Sequence, residues 1–445
     1  MIQLIVVALF ASFACYVYFL SQSVYLGWLS LLAVQFYQYS FGINQVIAGG
    51  IHLDAVDIVS LGLLAAGFIR TLPLLRERNT ARMIGLGYLA IFTLSLIRGI
   101  VSNGLTTAAN EARGFVPIIL AVLYFLTAPV DSDSVRKYIQ IYLYFGIGFV
   151  VVALLAYAGL PVGGVAWLHS TYDPTDTIGD RLLPAAAALG VALSFVFSLS
   201  WANHRGSNAL FRWLPVIFLG TAVFLRHRSV WNVLLFGVAS LFFTDNRLFR
   251  RLIPVAVLSL AVVAAFASVA SITASSEAAD TASSTEAEFS DSATNQGTLI
   301  WRVQTWTSIL LGKDQTLTTI VFGKSLGEGY NSFDLKSGFW STSPPHSEYL
   351  SEYSRVGILG LALMLWFILR PIRRLWSLSL TDMLAVEPSA SAWVVVIIAA
   401  IVYGVTYWIT VDTFALVGIA SAVVANQDAD ITVPLSAIMP RVRAA

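Results

Sequence analysis

Apolar runs alternate with short polar segments along almost the whole chain. Thirteen of these runs approach the ~20 residues that an α-helix needs to cross about 30 Å of hydrocarbon. They cover residues 2–20, 25–44, 55–69, 84–100, 115–130, 138–160, 182–201, 212–225, 230–244, 252–271, 347–369, 391–408 and 410–425. The pattern predicts an all-α polytopic membrane protein with 12 or 13 transmembrane helices, because a run interrupted by Gly or Pro can be re-entrant instead of spanning.

Composition also indicates a membrane protein. Of the 445 residues, 57% are hydrophobic and 11% are charged, whereas an ordinary soluble domain has about 25% charged residues. The formal net charge of +1 indicates neither a nucleic acid nor a strongly acidic partner. Cys15 is the single cysteine, which excludes an internal disulfide framework and a cluster of thiolate metal ligands.

The first apolar run has one feature of a secretory signal peptide, since the small residues Ala11 and Ala14 lie near a possible cleavage point. A signal peptide also needs a positively charged start, and the first basic residue of this chain is Arg70. We therefore expect the run to be the first membrane span.

The distribution of basic residues predicts the orientation, because Lys and Arg accumulate in short cytoplasmic loops. One alternating set of connections holds 16 of the 26 basic residues. Its members are Arg70, Arg76, Arg78, Arg82, Arg136, Lys137, Arg205, Arg212, Arg247, Arg250, Arg251, Arg370, Arg373, Arg374, Arg441 and Arg443. This set is predicted to be cytoplasmic, together with the C-terminus. Thirteen spans would leave the N-terminus outside, and twelve would leave it inside.

One predicted outward loop is too long for a simple connection between two helices. It divides the chain into an N-terminal transmembrane bundle (1–270), a periplasmic loop (271–346), and C-terminal helices with a cytoplasmic tail (347–445). Residues 271–297 are acidic and rich in Ser, Thr and Ala, which is typical of a poorly ordered segment. Residues 299–312 have the periodicity of an amphipathic helix that lies on the membrane surface or on the tops of the spans.

The segment from Arg226 to Arg228 places two arginines and His227 in a very short outward turn, against the orientation rule. Arginines near helix ends can extend to lipid phosphates, which is the structural interpretation. The functional interpretation is an anion clamp, because guanidinium groups bind phosphate oxygens with two donors at once. Arg181, which opens a span after an outward segment, is a further candidate for contact with phosphate.

The amphipathic helix contains Arg302 and Trp306, one turn apart. Trp306 fits the apolar stripe and is expected to pack. Arg302 flanks that stripe, so that it faces either water or a site. Nearer the C-terminus, Arg355 is one turn beyond Glu352 and is expected to form a salt bridge with it.

His346 follows Pro344 and Pro345 directly before a span and is therefore predicted to lie at the outward end of that helix. The helix dipole there disfavours imidazolium, so the ring should stay neutral near pH 7 and accept a proton. A capping or interfacial histidine is the alternative interpretation.

Several chemistries have no sequence support. The chain has no HExxH motif, no phosphate-binding glycine loop that ends in Lys and Ser or Thr, and no Cys and His spacing for metal. The acidic pairs Asp54/Asp57 and Asp131/Asp133 are the remaining candidates for a divalent metal site, and both are weak patterns.

Taken together, these residues resemble the bacterial O-antigen ligase and O-antigen or exopolysaccharide polymerase superfamily, a group of GT-C-like transferases of lipid-linked glycans. The resemblance is architectural along most of the chain and specific from about Leu225 to Leu361. The matching motifs, in order, are HRSVW (227–231), RVQTW (302–306), VFGKSLGEG (321–329), HSEYL (346–350) and VGILGL (356–361).

The resemblance implies transfer of a glycan from undecaprenyl diphosphate to the hydroxyl of an acceptor glycan or lipid. The reaction would take place on the periplasmic face of the inner membrane, by an inverting route without metal or cofactor. Arg228 and Arg302 would bind the diphosphate and stabilise the leaving group, and His346 would orient or deprotonate the acceptor. Arg226 and Arg181 would be secondary ligands of the diphosphate. Ser347 stands where the family often has asparagine.

The sequence leaves other functions open. Polymerase and ligase share this scaffold and differ in the acceptor, and polymerase is slightly preferred because nothing identifies a lipid A core or protein acceptor. A transporter or flippase would place ionisable residues within the spans, where Asp412 is one of few. A non-catalytic assembly factor is a third possibility.

Overall fold

A computed structural model describes most of the chain. The described residues are 2–42, 46–48, 51–75, 79–164, 182–201, 209–225, 227–244, 249–250, 252–259, 298–312, 315–330, 332–334, 339–341, 345–380 and 390–431. The predicted poorly ordered segment 271–297 lies outside these residues.

Helices account for nearly all of the regular structure that is described. In chain order they are α1 (Ile2–Gln22), α2 (Val24–Phe41), α3 (Ala55–Leu74), α4 (Thr80–Asn103), α5 (Leu105–Ala112), α6 (Val116–Leu123), α7 (Ser132–Tyr157), α8 (Ala185–Trp201), α9 (Ala209–Phe224), α10 (Arg228–Thr244), α11 (Thr298–Leu310), α12 (Leu317–Phe322), α13 (Glu348–Leu380), α14 (Ala390–Thr406) and α15 (Val411–Ile431). Residues 252–259 are also helical. Each of the thirteen predicted apolar runs therefore overlaps a described helix, although only residues 252–259 of the run 252–271 are described.

The lengths and apolar character of these helices confirm an all-α polytopic membrane protein. Five described segments are long and apolar enough to cross a membrane, and five shorter apolar helices accompany them. The chain bends by 118° between α1 and α2, and this pair is a sixth spanning segment if it is one broken span.

Two short antiparallel hairpins interrupt the helical fold. β1 (Val46–Ala48) pairs with β2 (Ile51–Leu53), and β3 (Ser332–Asp334) pairs with β4 (Phe339–Ser341). The sequence pattern does not predict these hairpins, because three residues are too few to show an alternating pattern.

One end of the bundle, called the basic end below, collects residues of the predicted cytoplasmic set. Arg70 donates to the backbone oxygens of Ser21 and Thr127, each at 2.8 Å, and so joins the ends of α1 and α3 to the end of the α6 segment. Arg136 and Lys137 lie over aromatic rings at this end. These three members of the predicted cytoplasmic set therefore lie at the same end of the bundle.

The opposite end, called the loop end below, gathers the long connections. The backbone N–H of Gly163 after α7 donates to Ser40 near the end of α2 at 2.8 Å, and buried His227 before α10 bonds to the oxygen of Leu183 before α8 at 2.9 Å. These bonds fix the positions of four helix ends relative to one another.

Asp54 and Asp57, a candidate metal pair in the sequence, have another role at the loop end. Their side chains form a capping box at the start of α3, and both carboxylates bind Arg113, at 3.2 Å and 2.6 Å. The second candidate pair is at the basic end, where Asp131 caps α7 by accepting from Ser134. These bonds lower the pKa of Asp131 below its ordinary value.

The C-terminal helices pack within the N-terminal bundle. Helix α13 packs against α4, α14 against α10, and α15 against α6. Glycines permit close approach, since a Cβ at Gly27 would overlap the ring of Tyr124 and one at Gly418 would meet the backbone of Ala121. The helices before residue 270 and those after residue 346, which the sequence assigns to separate regions, therefore share one core.

Helix α13 breaks near its start. Gly357 has φ +67° and ψ −172°, a conformation that only glycine adopts readily, and it lies against the backbone of Val321 at the end of α12. A short first segment of α13, Glu348–Val356, is therefore set apart from the long remainder of the helix.

Candidate functional site

Helix α11 lies against the start of α13 through its polar and aromatic face. The indole of Trp306 donates to the backbone oxygen of Pro345 at 2.9 Å, and Thr305 and Ile309 are buried on the same side. Val303 and Leu310, which belong to the same apolar periodicity as Trp306, are exposed. The predicted placement of this helix on the membrane surface or on the tops of the spans stays a prediction.

Arg302 points from α11 to the turn between α14 and α15. Its guanidinium carbon lies 5.1 Å from the centroid of the Tyr407 ring, within the range of a cation–π contact. The Tyr407 ring is itself stacked on Tyr403, with 5.1 Å between centroids. A column of two aromatic rings thus supports the arginine at the loop end.

His346 lies two residues before α13 and next to this arginine. Its φ of +47° makes it the one non-glycine residue with positive φ among those the structure describes. Such a backbone costs on the order of 1–3 kcal/mol and is common at functional sites. The surrounding contacts must therefore hold this residue in place.

Partial burial and the nearby charge of Arg302 lower the pKa of His346 below its ordinary value of 6.5. The sequence predicted the direction of this change but assigned it to the helix dipole. The imidazole is therefore neutral near pH 7 and can accept a proton.

The first segment of α13 is bonded along its length to the end of α14. Ser347 donates to the backbone oxygen of Gly404 at 3.4 Å, and Tyr349 donates to that of Ile401 at 2.7 Å. Trp408, in the turn after α14, donates to the hydroxyl of Ser351 at 3.1 Å. These bonds fix His346 relative to Tyr407.

The VFGKSLGEG segment (321–329) packs against α13 at the break beside Gly357. Its backbone is held by Lys324, whose N–H donates to Ser354 at 2.7 Å, and by Arg98, which donates to Gly323 at 3.1 Å. Asn103 donates to Leu326 at 2.9 Å. The residues that follow α12 are therefore bonded both to α4 and to α13.

Arg355 of α13 also binds this segment. It is fully buried, forms an ion pair with Glu111 at 2.5 Å, and donates to the backbone oxygen of Ser325 at 3.0 Å. Its guanidinium carbon also lies 4.4 Å from the ring centroid of Tyr330. The predicted Arg355–Glu352 salt bridge is wrong. Both carboxylate oxygens of Glu352 lie 2.9 Å from the hydroxyl of Tyr88.

Arg228 is the first residue of α10 and is exposed at the loop end. Helices α10 and α14 run antiparallel and approach each other where a Cβ at Gly237 would contact Val395. Arg228 lies nine residues from Gly237 toward the loop end of α10, and Gly404 lies nine residues from Val395 toward the loop end of α14. Arg228 is therefore at the level of the α14 end that carries Tyr407. Its convergence with Arg302 and His346 stays a prediction.

Arg226 and Arg181, the secondary phosphate candidates, lie outside the described residues. Within the described part of the chain, no three His, Cys, Asp or Glu side chains are grouped so that they could hold a metal ion.

Sequence reasoning missed Tyr407 as a part of this site, and it weighed Glu348 only as an aid to a base or as a structural anion. Tyr407 lies 105 residues after Arg302, and aromatic residues near span ends are common enough that no local pattern singles it out. The HSEYL motif contains Glu348, but its bonds to the turn after α14 depend on tertiary packing.

The arrangement combines a fixed cation, a neutral imidazole and aromatic surfaces at one end of a membrane bundle. Such a site can bind an anionic group at Arg302 and remove a proton from a neighbouring hydroxyl at His346. Comparison with protein-family models and with curated protein sequences finds no match for this chain.

Proposed function

We propose that this chain is a glycosyltransferase that moves a glycan from undecaprenyl diphosphate to an acceptor hydroxyl on the periplasmic face of the membrane. The observation that carries the proposal is the placement of Arg302 beside His346 at the loop end, where Trp306 binds the residue before His346 and Arg302 lies over Tyr407. The resemblance of the surrounding motifs to the O-antigen ligase and polymerase superfamily supports the same reaction.

In this reaction His346 accepts the proton of the acceptor hydroxyl as the acceptor oxygen attacks the anomeric carbon. The bond between that carbon and the diphosphate oxygen breaks, and its electron pair stays on the diphosphate. Arg302, and Arg228 at the same end, balance the negative charge that develops there. A single displacement from the opposite face inverts the anomeric configuration, and the residues named need no metal for these steps.

The test is the transfer activity of Arg302→Ala, Arg228→Ala and His346→Ala, measured by complementation and with purified lipid-linked glycan. Each variant should insert at the wild-type level and lose activity. Arg136→Ala is the matched control, because it removes a cation–π arginine at the basic end and should stay active. Normal glycan transfer by Arg302→Ala at normal membrane levels contradicts the proposal.

Polymerase is preferred over ligase, since no feature of the chain identifies a lipid A core or protein acceptor. Surface polysaccharide from a deletion strain distinguishes them. Single repeat units on the acceptor indicate a lost polymerase, whereas long chains left on the lipid carrier indicate a lost ligase.

The alternative is a polysaccharide or lipid transporter, which would use ionisable groups within the membrane. Asp412 is such a group, but it is buried and accepts hydrogen bonds from Tyr142 at 2.8 Å and Gln35 at 3.4 Å. Because these bonds come from neighbouring helices, they favour a packing role for Asp412 over a transport path.

A further inference from the structure

Glu348 is a buried carboxylate at the start of α13 that the proposed reaction does not use. Its backbone N–H donates to the oxygen of Tyr407 at 3.2 Å. Its Oε2 accepts from the backbone N–H of Ile409 at 3.0 Å. A single residue therefore binds both ends of a three-residue stretch in the turn between α14 and α15.

The middle residue of that stretch is held by the same helix turn, since Trp408 donates to Ser351. Every residue from Tyr407 to Ile409 is thus bonded to the first turn of α13. Helix α15 begins two residues after Ile409, and the partial positive charge at its N-terminus favours a carboxylate there.

The turn carries the ring on which Arg302 rests. Tyr407 is fixed through its backbone by Glu348 and through its ring by Tyr403, so the face presented to Arg302 has one orientation. Arg302 is long and has many rotamers, and a fixed aromatic face selects among them.

We infer that Glu348 is a positioning residue that sets the Tyr407 ring and, through it, the guanidinium of Arg302 for the diphosphate. The inference rests on the proposed function for the role of Arg302. The bonds between Glu348 and the turn can be tested without that function.

The first measurement is hydrogen exchange of the full-length protein in detergent. Glu348→Ala removes the acceptor of the Ile409 N–H and should speed exchange in peptides that contain residues 407–411. Glu348→Gln keeps a side-chain oxygen of the same reach and should exchange like wild type. Glu352→Ala is the matched control, because it removes an equally buried carboxylate one turn further along α13 that is bonded to Tyr88 instead. Unchanged exchange in Glu348→Ala overturns the inference.

The second measurement is transfer from undecaprenyl-diphosphate glycan. Glu348→Ala keeps the backbone bond to Tyr407 but releases Ile409, so it should raise KM for the lipid donor by at most about tenfold, the loss of a whole cation–π contact, and leave KM for the acceptor and the pH profile unchanged. Glu348→Gln should restore the donor KM. An inactive Glu348→Gln, or a shifted pH profile, would mean that the carboxylate takes part in proton transfer, and would overturn the positioning role.

A double-variant comparison separates positioning from general loss of structure. Tyr407→Leu removes the aromatic face directly, so adding Glu348→Ala to it should raise the donor KM no further. Additive effects overturn the inference. If wild type and Arg302→Ala are equally active, the proposed function fails, while the exchange measurement still decides whether Glu348 holds the turn.

Discussion

The indole of Trp306 and the backbone oxygen of Pro345 are joined by a hydrogen bond of 2.9 Å. The bond connects the helix that carries Arg302 to the residue directly before His346. The two groups proposed to act on the donor and on the acceptor are therefore linked by one side chain as well as by charge.

Trp306→Phe should weaken this link while keeping the aromatic packing. A hydrogen bond of this kind contributes about 0.5–1.5 kcal/mol, so transfer activity should fall roughly two- to tenfold at an unchanged membrane level. Trp366→Phe is the control, because Trp366 is exposed on α13. Equal activity of the two variants in a purified assay would contradict the role of the bond.

The pH dependence of transfer should report His346. Because its pKa is lowered, the imidazole loses its proton at a pH below the ordinary 6.5, so activity should rise as the pH passes this lowered pKa and should already have levelled off above 6.5. Arg302→Gln removes one cause of the lowered pKa and should move it upward. Histidine NMR of labelled protein measures both values, with His346→Asn to assign the signal, since asparagine also tolerates positive φ. A histidine signal that titrates at or above 6.5 in wild type would disprove the expectation.

Gly357→Ala should destabilise the fold. The backbone there is one that only glycine adopts readily, at a cost of about 1–3 kcal/mol for other residues, and a Cβ would overlap the backbone of Val321. Gly114→Ala is the control, because its Cβ would meet no atom within 4 Å. Thermal denaturation in detergent should show a lower midpoint for the first variant alone, and equal midpoints would count against the break in α13.

Arg355→Met should be more harmful than the double variant Arg355→Met with Glu111→Gln. The single change leaves the partly exposed Glu111 carboxylate without its cation, which should cost less than the ~3–5 kcal/mol of a fully buried pair, whereas the double change removes both charges. The same denaturation measurement should place the double variant between the single variant and wild type. A double variant less stable than the single one would show that the pair is not balanced in this way.

The helical fold could be predicted from the sequence because the apolar runs are long and the basic residues alternate. The predicted start at residue 55 matches α3, which Asp54 caps, whereas α7 begins at Ser132, six residues before the predicted run 138–160, because its first turns are polar and do not belong to the apolar pattern. The hairpins could not be predicted, because strands of three residues have too little periodicity.

Part of the candidate site was also visible in the sequence. Arg302 and His346 stood out because a cation and a proton acceptor were unexpected in an apolar chain, and the structure brings them together. The residues that hold such groups in place could not be predicted from the sequence in the same way. Tyr407, Glu348 and the Glu111 partner of Arg355 are each distant in sequence from the group they hold, and only tertiary packing joins them.

The break at Gly357 has a mechanical consequence for a protein in a bilayer. Long apolar helices tilt when the thickness of the hydrocarbon changes, and a continuous α13 would carry such a tilt to its first residue. Here the tilt can be taken up at the glycine, while the segment Glu348–Val356 stays bonded to α14 and the following turn. The site should therefore keep its geometry across lipids of different chain length.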